Sequence, residues 1–165
     1  MATRCLLIGV GNPDRGDDAI GPLVARAVRE LAPPAVEVRE LEGEGSAIFF
    51  ALGDAQTVVI VDASRSGAPP GTVERIDAWE AALPASSSET STHTFGLAAA
   101  IELARALGAL PPRCILYGVE GASFRAGEAL SPLVGRAIAA LIPRLARELR
   151  ELADAPEIAQ GRAHM

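Results

Sequence analysis

The chain has 165 residues, 49% hydrophobic and 22% charged, which is the balance of an ordinary globular protein rather than of a disordered or membrane-embedded one. Its formal net charge of -6 speaks against a nucleic-acid binder, which needs a clustered cationic face. The length suits one domain, placed at residues 1–153 with a fraying tail at 154–165, and large enough to bury roughly two thirds of its unfolded surface.

The first apolar run, RCLLIGV from Arg4 to Val10, does not alternate, as expected of a strand buried on both faces of a parallel sheet. It is too short for a signal-peptide core or a membrane span, so no targeting segment and no membrane contact are expected, and the location expected is cytoplasmic. A glycine turn follows. Ile20, Leu23, Val24, Ala27, Val28 and Leu31 then recur at helical spacing, with Pro22 in the first turn, where a missing N–H is tolerated. Pro33 and Pro34 end that helix.

Val36 to Leu41 alternates apolar and polar residues, which predicts a strand that lies nearer an edge or has one wetter face. Gly43 and Gly45 precede a short apolar helix closed by Gly53. TVVIV, Thr57 to Val61, is the most β-branched run and is placed at the sheet centre, with Asp62 terminating it. A turn cluster leads to Thr72 to Ile76, whose alternation and short lead-in suggest a brief added strand, with antiparallel pairing as one reading. The polar segment Ala85 to Thr94 reads as a solvated loop, and Phe95 to Leu107 as a helix stopped by Gly108. Cys114 to Val119 is another buried strand. Ser131-Pro132 opens a last helix, which Pro143 should kink at a cost of about 3 kcal/mol.

Strands alternating with helices predict an α/β sandwich, a mostly parallel sheet covered on both faces. Cys5 and Cys114 fall inside predicted strands and read as small buried hydrophobes rather than a disulfide or a nucleophile. In such folds ligands gather beyond the carboxyl ends of the strands. Asp17 and Asp18 follow the first strand and Asp62 closes the central one. His93 enters from the loop before a helix.

Gly9-Val10-Gly11 invites the dinucleotide fingerprint, but its third glycine position is Asp14, and three aspartates there repel a pyrophosphate. Asp17 reads as a helix cap or a supporting residue, and Asp18 as the carboxylate available to the cleft. Asp62, partly desolvated at a strand end, needs a cation or several donors. Two carboxylates and one imidazole suit a borderline or hard divalent ion such as zinc, nickel, manganese or iron, with positions left open for substrate or water. The chain has no H-E-x-x-H, no G-x-S-x-G and no exposed cysteine beside a histidine.

IGVGNPDRGDDAIG, VIVDAS followed by PPGT, STHTFGL opening a helix, and YGVEG followed by SPLV together resemble the [NiFe]-hydrogenase maturation proteases, in order and over nearly the whole chain. The resemblance implies a three-layer α/β sandwich with a twisted sheet of about five strands. It also implies removal of a C-terminal peptide from the hydrogenase large-subunit precursor after nickel insertion. The metal ligands and catalytic residues it implies are Asp18, Asp62 and His93. Nickel would arrive with the precursor, with no tightly bound organic cofactor. Gly11, Asn12 and Asp17, with Gly43 and Gly45, would line the substrate groove. Where many members carry Asp-Gly-Gly-Thr or Asp-Gly-Gly-Ser, this chain has Glu42-Gly43-Glu44-Gly45-Ser46, which adds negative charge near the cleft. A non-catalytic precursor escort using the same three residues is the rival reading, and a dinucleotide-binding domain a distant third.

Overall fold

The computed structural model describes residues 3–81 and 96–158. Its elements run β1 (Thr3–Val10), a 3-10 turn (Gly16–Ala19), α1 (Ile20–Leu31), β2 (Val36–Leu41), α2 (Gly45–Leu52), β3 (Ala55–Ser64), β4 (Val73–Asp77), α3 (Leu97–Ala106), β5 (Arg113–Glu120) and α4 (Pro132–Asp154). The five strands form one sheet in the order β2-β1-β3-β5-β4. All neighbours pair in parallel except β4, which is antiparallel to β5. This is the α/β sandwich read from the sequence, with VEVREL at an edge and TVVIV at the centre.

Period-two geometry explains why the central strands carry unbroken apolar runs. Alternate residues point to opposite faces, so Cys5, Leu7, Val59, Val61, Ile115 and Tyr117 enter one core, which α1 and α4 cover. Leu6, Ile8, Val58, Ile60, Cys114 and Leu116 enter the other, beneath α2 and α3. Each layer of helices therefore seals one face of the sheet.

Two local expectations are corrected, and Pro143 lies inside one continuous helix. β3 does not stop at Asp62 but continues to Ser64, because β5 keeps pairing with it through Asp62↔Gly118 and Ser64↔Glu120. α4 is a single helix through Pro143. One lost backbone bond and a ring clash cost about 3 kcal/mol, whereas burying a leucine contributes about 1.5 to 3 kcal/mol, and Leu141, Leu145 and Leu149 are all buried after or beside that point. Leu31, counted on the apolar side of α1, is 50% exposed, since it lies in the last residue of the helix, past the edge of the core.

The chain leaves β1 towards β2 on one side and β3 towards β5 and β4 on the other. The crevice between the carboxyl ends of β1 and β3 is thus the topological switch point, where open α/β sheets hold their ligands. Asp18 follows β1 and Asp62 lies near the end of β3, so the fold brings both to this crevice.

Candidate functional site

The turn after β1 is set by close backbone approach. A Cβ on Gly9 would lie 2.2 Å from the Gly21 carbonyl oxygen, and one on Gly21 would lie 2.2 Å from the Val10 carbonyl oxygen. Only glycine lets the start of α1 cross β1 so tightly. Gly11 has φ +144, and its missing Cβ leaves room for the Asp18 carbonyl oxygen, which would sit 2.0 Å away. The clearance at Gly11 is therefore filled by the chain itself. Gly11 N–H donates to Leu41 O at 2.9 Å, joining the turns that follow β1 and β2.

On this edge the carboxylates divide by how many donors they meet. Asp17 is fully buried. Its Oδ2 accepts from the amides of Ala122 at 2.7 Å and Ser123 at 3.0 Å and from Ser131 Oγ at 2.7 Å. Its Oδ1 accepts from the Ser131 amide at 2.8 Å. Burial alone would raise its pKa, but the bonds from Ser131, Ala122 and Ser123 win and hold it below the usual carboxylate value. Neither the 3-10 turn nor α1 has a side-chain cap, so the capping role expected of Asp17 is replaced by a tertiary one. This carboxylate faces the β5–α4 loop, with no surface left for a substrate.

Asp62 is the opposite case. Half-buried, its carboxylate accepts one hydrogen bond among the described residues, from the neighbouring Ala63 amide to Oδ1 at 2.9 Å. Desolvation pushes its pKa up to about 7, the Asp18 charge adds to the rise, and the Ala63 amide opposes it. Asp18, also half-buried, accepts from the Asn12 amide on Oδ2 at 2.8 Å. Asn12 in turn uses Oδ1 to accept from the Asp14 amide at 2.8 Å, which fixes the turn in the Asx form. Two carboxylates with few donors thus lie at the switch point, near enough for the charge of Asp18 to act on Asp62. Such a pair invites a cation, because a cation removes both the desolvation penalty and the mutual repulsion.

The other predicted residues fall as follows. Gly43, at φ +101, forms the bend after β2, and Gly45 is buried as the first residue of α2. Glu42 and Glu44 are exposed. His93 and the rest of the Ala85–Thr94 segment lie outside the described residues. Among the described residues no group of three histidine, cysteine, aspartate or glutamate side chains could hold a metal ion; Asp18 and Asp62 supply two.

The sequence reading missed Glu120. It ends β5 at 3% exposure, and its carboxylate accepts from Ser64 Oγ at 2.9 Å, from the Ser66 amide and hydroxyl, and from the Gly67 amide at 3.0 Å. It ties the β3–β4 turn to β5. A glutamate ending a buried strand carries the same signal that singled out Asp62, while the serines of SRSG, Ser64 to Gly67, supply donors that Asp62 lacks.

The fold and site define an α/β sandwich protein with a carboxylate pair at the switch point of its sheet. A family model described as hydrogenase maturation protease matches residues 22–148. The hydrogenase 2 maturation protease of Escherichia coli (strain K12) is 30% identical over 153 residues, covering 90% of this chain and 92% of that one. The hydrogenase expression/formation protein HupD of Thiocapsa roseopersicina is 28% identical over 117 residues; the match covers 70% of this chain and 53%, about half, of that relative's length. The solved structure of the hydrogenase maturating endopeptidase HybD from E. coli superposes with a TM-score of 0.72 at 27% identity, covering 90% of this chain and 93% of that one. The chain belongs to the hydrogenase maturation protease family, a family of peptidases. No helix among the described residues is long and apolar enough to cross a membrane.

Proposed function

We propose that the protein removes the C-terminal peptide of a [NiFe]-hydrogenase large-subunit precursor after nickel insertion, and that Asp18, Asp62 and His93 engage the precursor's nickel. The observation that carries this reading is the contrast between the carboxylates. Asp17 and Glu120 are saturated by donors, whereas Asp62 has one and feels the charge of Asp18. A desolvated Asp62 close to a second carboxylate, beside acids saturated by donors, is a binding site kept open rather than a structural clamp.

Nickel is here part of the substrate. Held by the two aspartates and the histidine, it would fix the scissile peptide against the switch-point crevice and polarise its carbonyl or activate a water. The water oxygen adds to the carbonyl carbon, the C–N bond breaks, and the amine of the released peptide takes up a proton. An aspartate serves as general base if His93 is committed to the metal. The turns of Gly11 and Asn12 and of Gly43 and Gly45 border the crevice, and Asp17 positions the first of them from below.

The test incubates the purified protein with nickel-loaded precursor and identifies the product by mass spectrometry. Wild type should release the C-terminal peptide, and Asp18→Ala, Asp62→Ala and His93→Ala should each slow release by at least about a hundredfold, the scale for losing a charge-stabilising group. Variants that cleave at the wild-type rate would refute the site. Stable precursor binding with no peptide released would instead make the protein an escort.

A further inference from the structure

The sheet brings Asp18 and Asp62 to one crevice, yet the ladder between their strands ends before it reaches them. The last registered pair of β1 with β3 is Gly9↔Val61, one residue short of Asp62. Beyond it Asp62, Ala63 and Ser64 are only half-buried, so apolar burial does little to fix them. β5 holds them instead, through Asp62↔Gly118, Ala63↔Val119 and Ser64↔Glu120, and through the side chain of Glu120.

Glu120 Oε1 accepts from the Ser66 amide at 2.9 Å and the Gly67 amide at 3.0 Å, and Oε2 from the Ser64 and Ser66 hydroxyls, each at 2.9 Å. Its backbone is engaged by the entry to β4: Gly71 N–H donates to Glu120 O at 2.8 Å, and Glu120 N–H to Thr72 O at 2.9 Å. The next three residues run to the Asp18 side. Gly121 N–H donates to Ser64 O at 3.1 Å and Asp17 N–H to Ser123 O at 2.8 Å, while the Ala122 and Ser123 amides donate to Asp17 Oδ2. A Cβ on Gly121 would lie 2.9 Å from Asp17 Cβ, so this segment passes Asp17 in contact. Four consecutive residues, 120–123, thus bind Ser64, two past Asp62, at one end and Asp17, the neighbour of Asp18, at the other. A buried carboxylate is a costly way to close a turn. What four convergent donors add is direction, because they leave the turn one arrangement.

We propose that Glu120 is a positioning residue for peptide cleavage, and that the strap of residues 120–123 sets the separation of Asp18 and Asp62 at which the precursor's nickel is engaged. This rests on the protease reading given above. Glu120 touches neither substrate nor metal; it acts through Ser64 and Ser66 on the strand end that carries Asp62. Ligand groups have to be held within about 0.5 Å of productive geometry, and a misplacement of about 1 Å costs on the order of a hundredfold in rate. The role depends on reach rather than on charge. A glutamine has the same length: its oxygen keeps the two amides, and its NH2 donates to the two hydroxyls, which can accept as well as donate. An aspartate keeps the charge and falls one methylene short.

The experiment measures kcat/KM of the full chain on nickel-loaded precursor, by mass spectrometry of the released peptide, at a temperature where circular dichroism shows the variants folded. Glu120→Gln should stay within about threefold of wild type, and Glu120→Asp should fall about tenfold or more. On an Asp62→Ala background Glu120→Asp should slow cleavage no further, since a residue that acts through Asp62 then has nothing left to position. A merely structural role would slow both backgrounds alike, and equal slowing in the two overturns the proposal. So does the reverse order, with Glu120→Asp active and Glu120→Gln slow, which would make the charge the agent. Glu120→Asp at the wild-type value while Asp62→Ala is slow overturns the strap and leaves the protease reading intact. Should Glu120→Asp not fold, the Ser64→Ala, Ser66→Ala double variant, which removes the two hydroxyl donors, is put through the same two backgrounds: slowing confined to the Asp62 background supports the strap, and equal slowing or none overturns it. No peptide release by wild type refutes the protease reading and this proposal with it.

Discussion

Asp17 and Ser131, 114 residues apart in sequence, are joined twice, by the Ser131 amide to Oδ1 at 2.8 Å and the Ser131 hydroxyl to Oδ2 at 2.7 Å. This pair of hydrogen bonds between distant segments fastens the turn after β1 to the start of α4, while Ala122 and Ser123 fasten it to the loop after β5. Asp18, one residue further on, is held at the crevice by a frame that reaches across most of the chain. Positioning of the candidate site is thus a tertiary property.

Asp17→Ala should therefore be among the most destabilising single changes in the protein. It leaves three backbone amides and a hydroxyl aimed at an empty space, and each unsatisfied buried donor costs about 1 to 3 kcal/mol. We expect a loss of at least about 3 kcal/mol in urea unfolding, and faster hydrogen exchange at the Ala122, Ser123 and Ser131 amides. Asp17→Asn should be intermediate, because its NH2 group turns one acceptor into a donor facing donors. A change below about 1 kcal/mol for Asp17→Ala would mean the frame is held elsewhere.

Asp62 sets a pH dependence of opposite sign to that of Asp17. An acid whose folded pKa of about 7 exceeds its unfolded value near 3.9 keeps its proton in the folded state while the unfolded chain has released it. Between about pH 4 and pH 7 stability then falls as pH rises. Asp17 and Glu120, both lowered, contribute stability that is present above their unfolded pKa and lost as the pH drops through the folded one. Asp62→Asn removes the first slope and leaves the others. Its melting temperature relative to wild type should be near unchanged at pH 4 and several degrees higher at pH 7.5, where a few kcal/mol is at stake. A difference that stays constant from pH 4 to pH 8 would contradict a desolvated Asp62.

The crossing of α1 over β1 makes a steric prediction. In Gly21→Ala the new methyl would meet the Val10 carbonyl oxygen at 2.2 Å, the Val10 nitrogen at 2.5 Å and the Val61 carbonyl oxygen at 2.7 Å. All three are backbone atoms, so relief requires moving α1 or the sheet, at about 3 kcal/mol or more. Gly53→Ala is the matched control: φ is -82 and the nearest atom, Phe50 O, is at 3.5 Å. It should be neutral within about 1 kcal/mol. Thermal melts of the two variants decide the point, and equal stability would show that the crossing is looser than drawn.

Much of this was legible in the sequence, and the failures have physical causes. β1, β3 and β5 could be read because strands buried on both faces are apolar at nearly every position, and β2 because its residues at the sheet edge are mostly only half-buried. Asp62 stood out because a carboxylate in such a run demands an explanation. Its place inside β3 rather than at the end was not readable, since the extra residues are strand only through pairing with Gly118 to Glu120. Asp17 and Asp18 were distinguishable as supporting and accessible residues, but what saturates Asp17 lies more than a hundred residues away. Glu120 is not legible from sequence, because only the folded chain sets the Ser64 and Ser66 hydroxyls against it. Local chemistry marks which residues need partners, and the topology decides which of them get one.

The two cysteines provide the last prediction. Cys5 and Cys114 are 0% and 1% exposed, and burial pushes their thiols up to about 11 and about 12. β3 lies between their strands, with Cys5 opposite Thr57 and Cys114 opposite Val58. Two strand spacings of about 4.8 Å put them roughly 10 Å apart, beyond the reach of a disulfide, and they point into opposite cores. Neither thiolate nor access is available, so both should resist a thiol reagent such as DTNB in the folded protein. Both should react in denaturant without prior reduction, at the full count of two thiols. Their labelling rate in native buffer should follow global unfolding, so that Asp17→Ala speeds both together. Fast labelling of Cys5 alone would show that β1 opens independently of the rest of the sheet, against a frame in which Asp17 ties the turn after β1 to the loop after β5 and to α4.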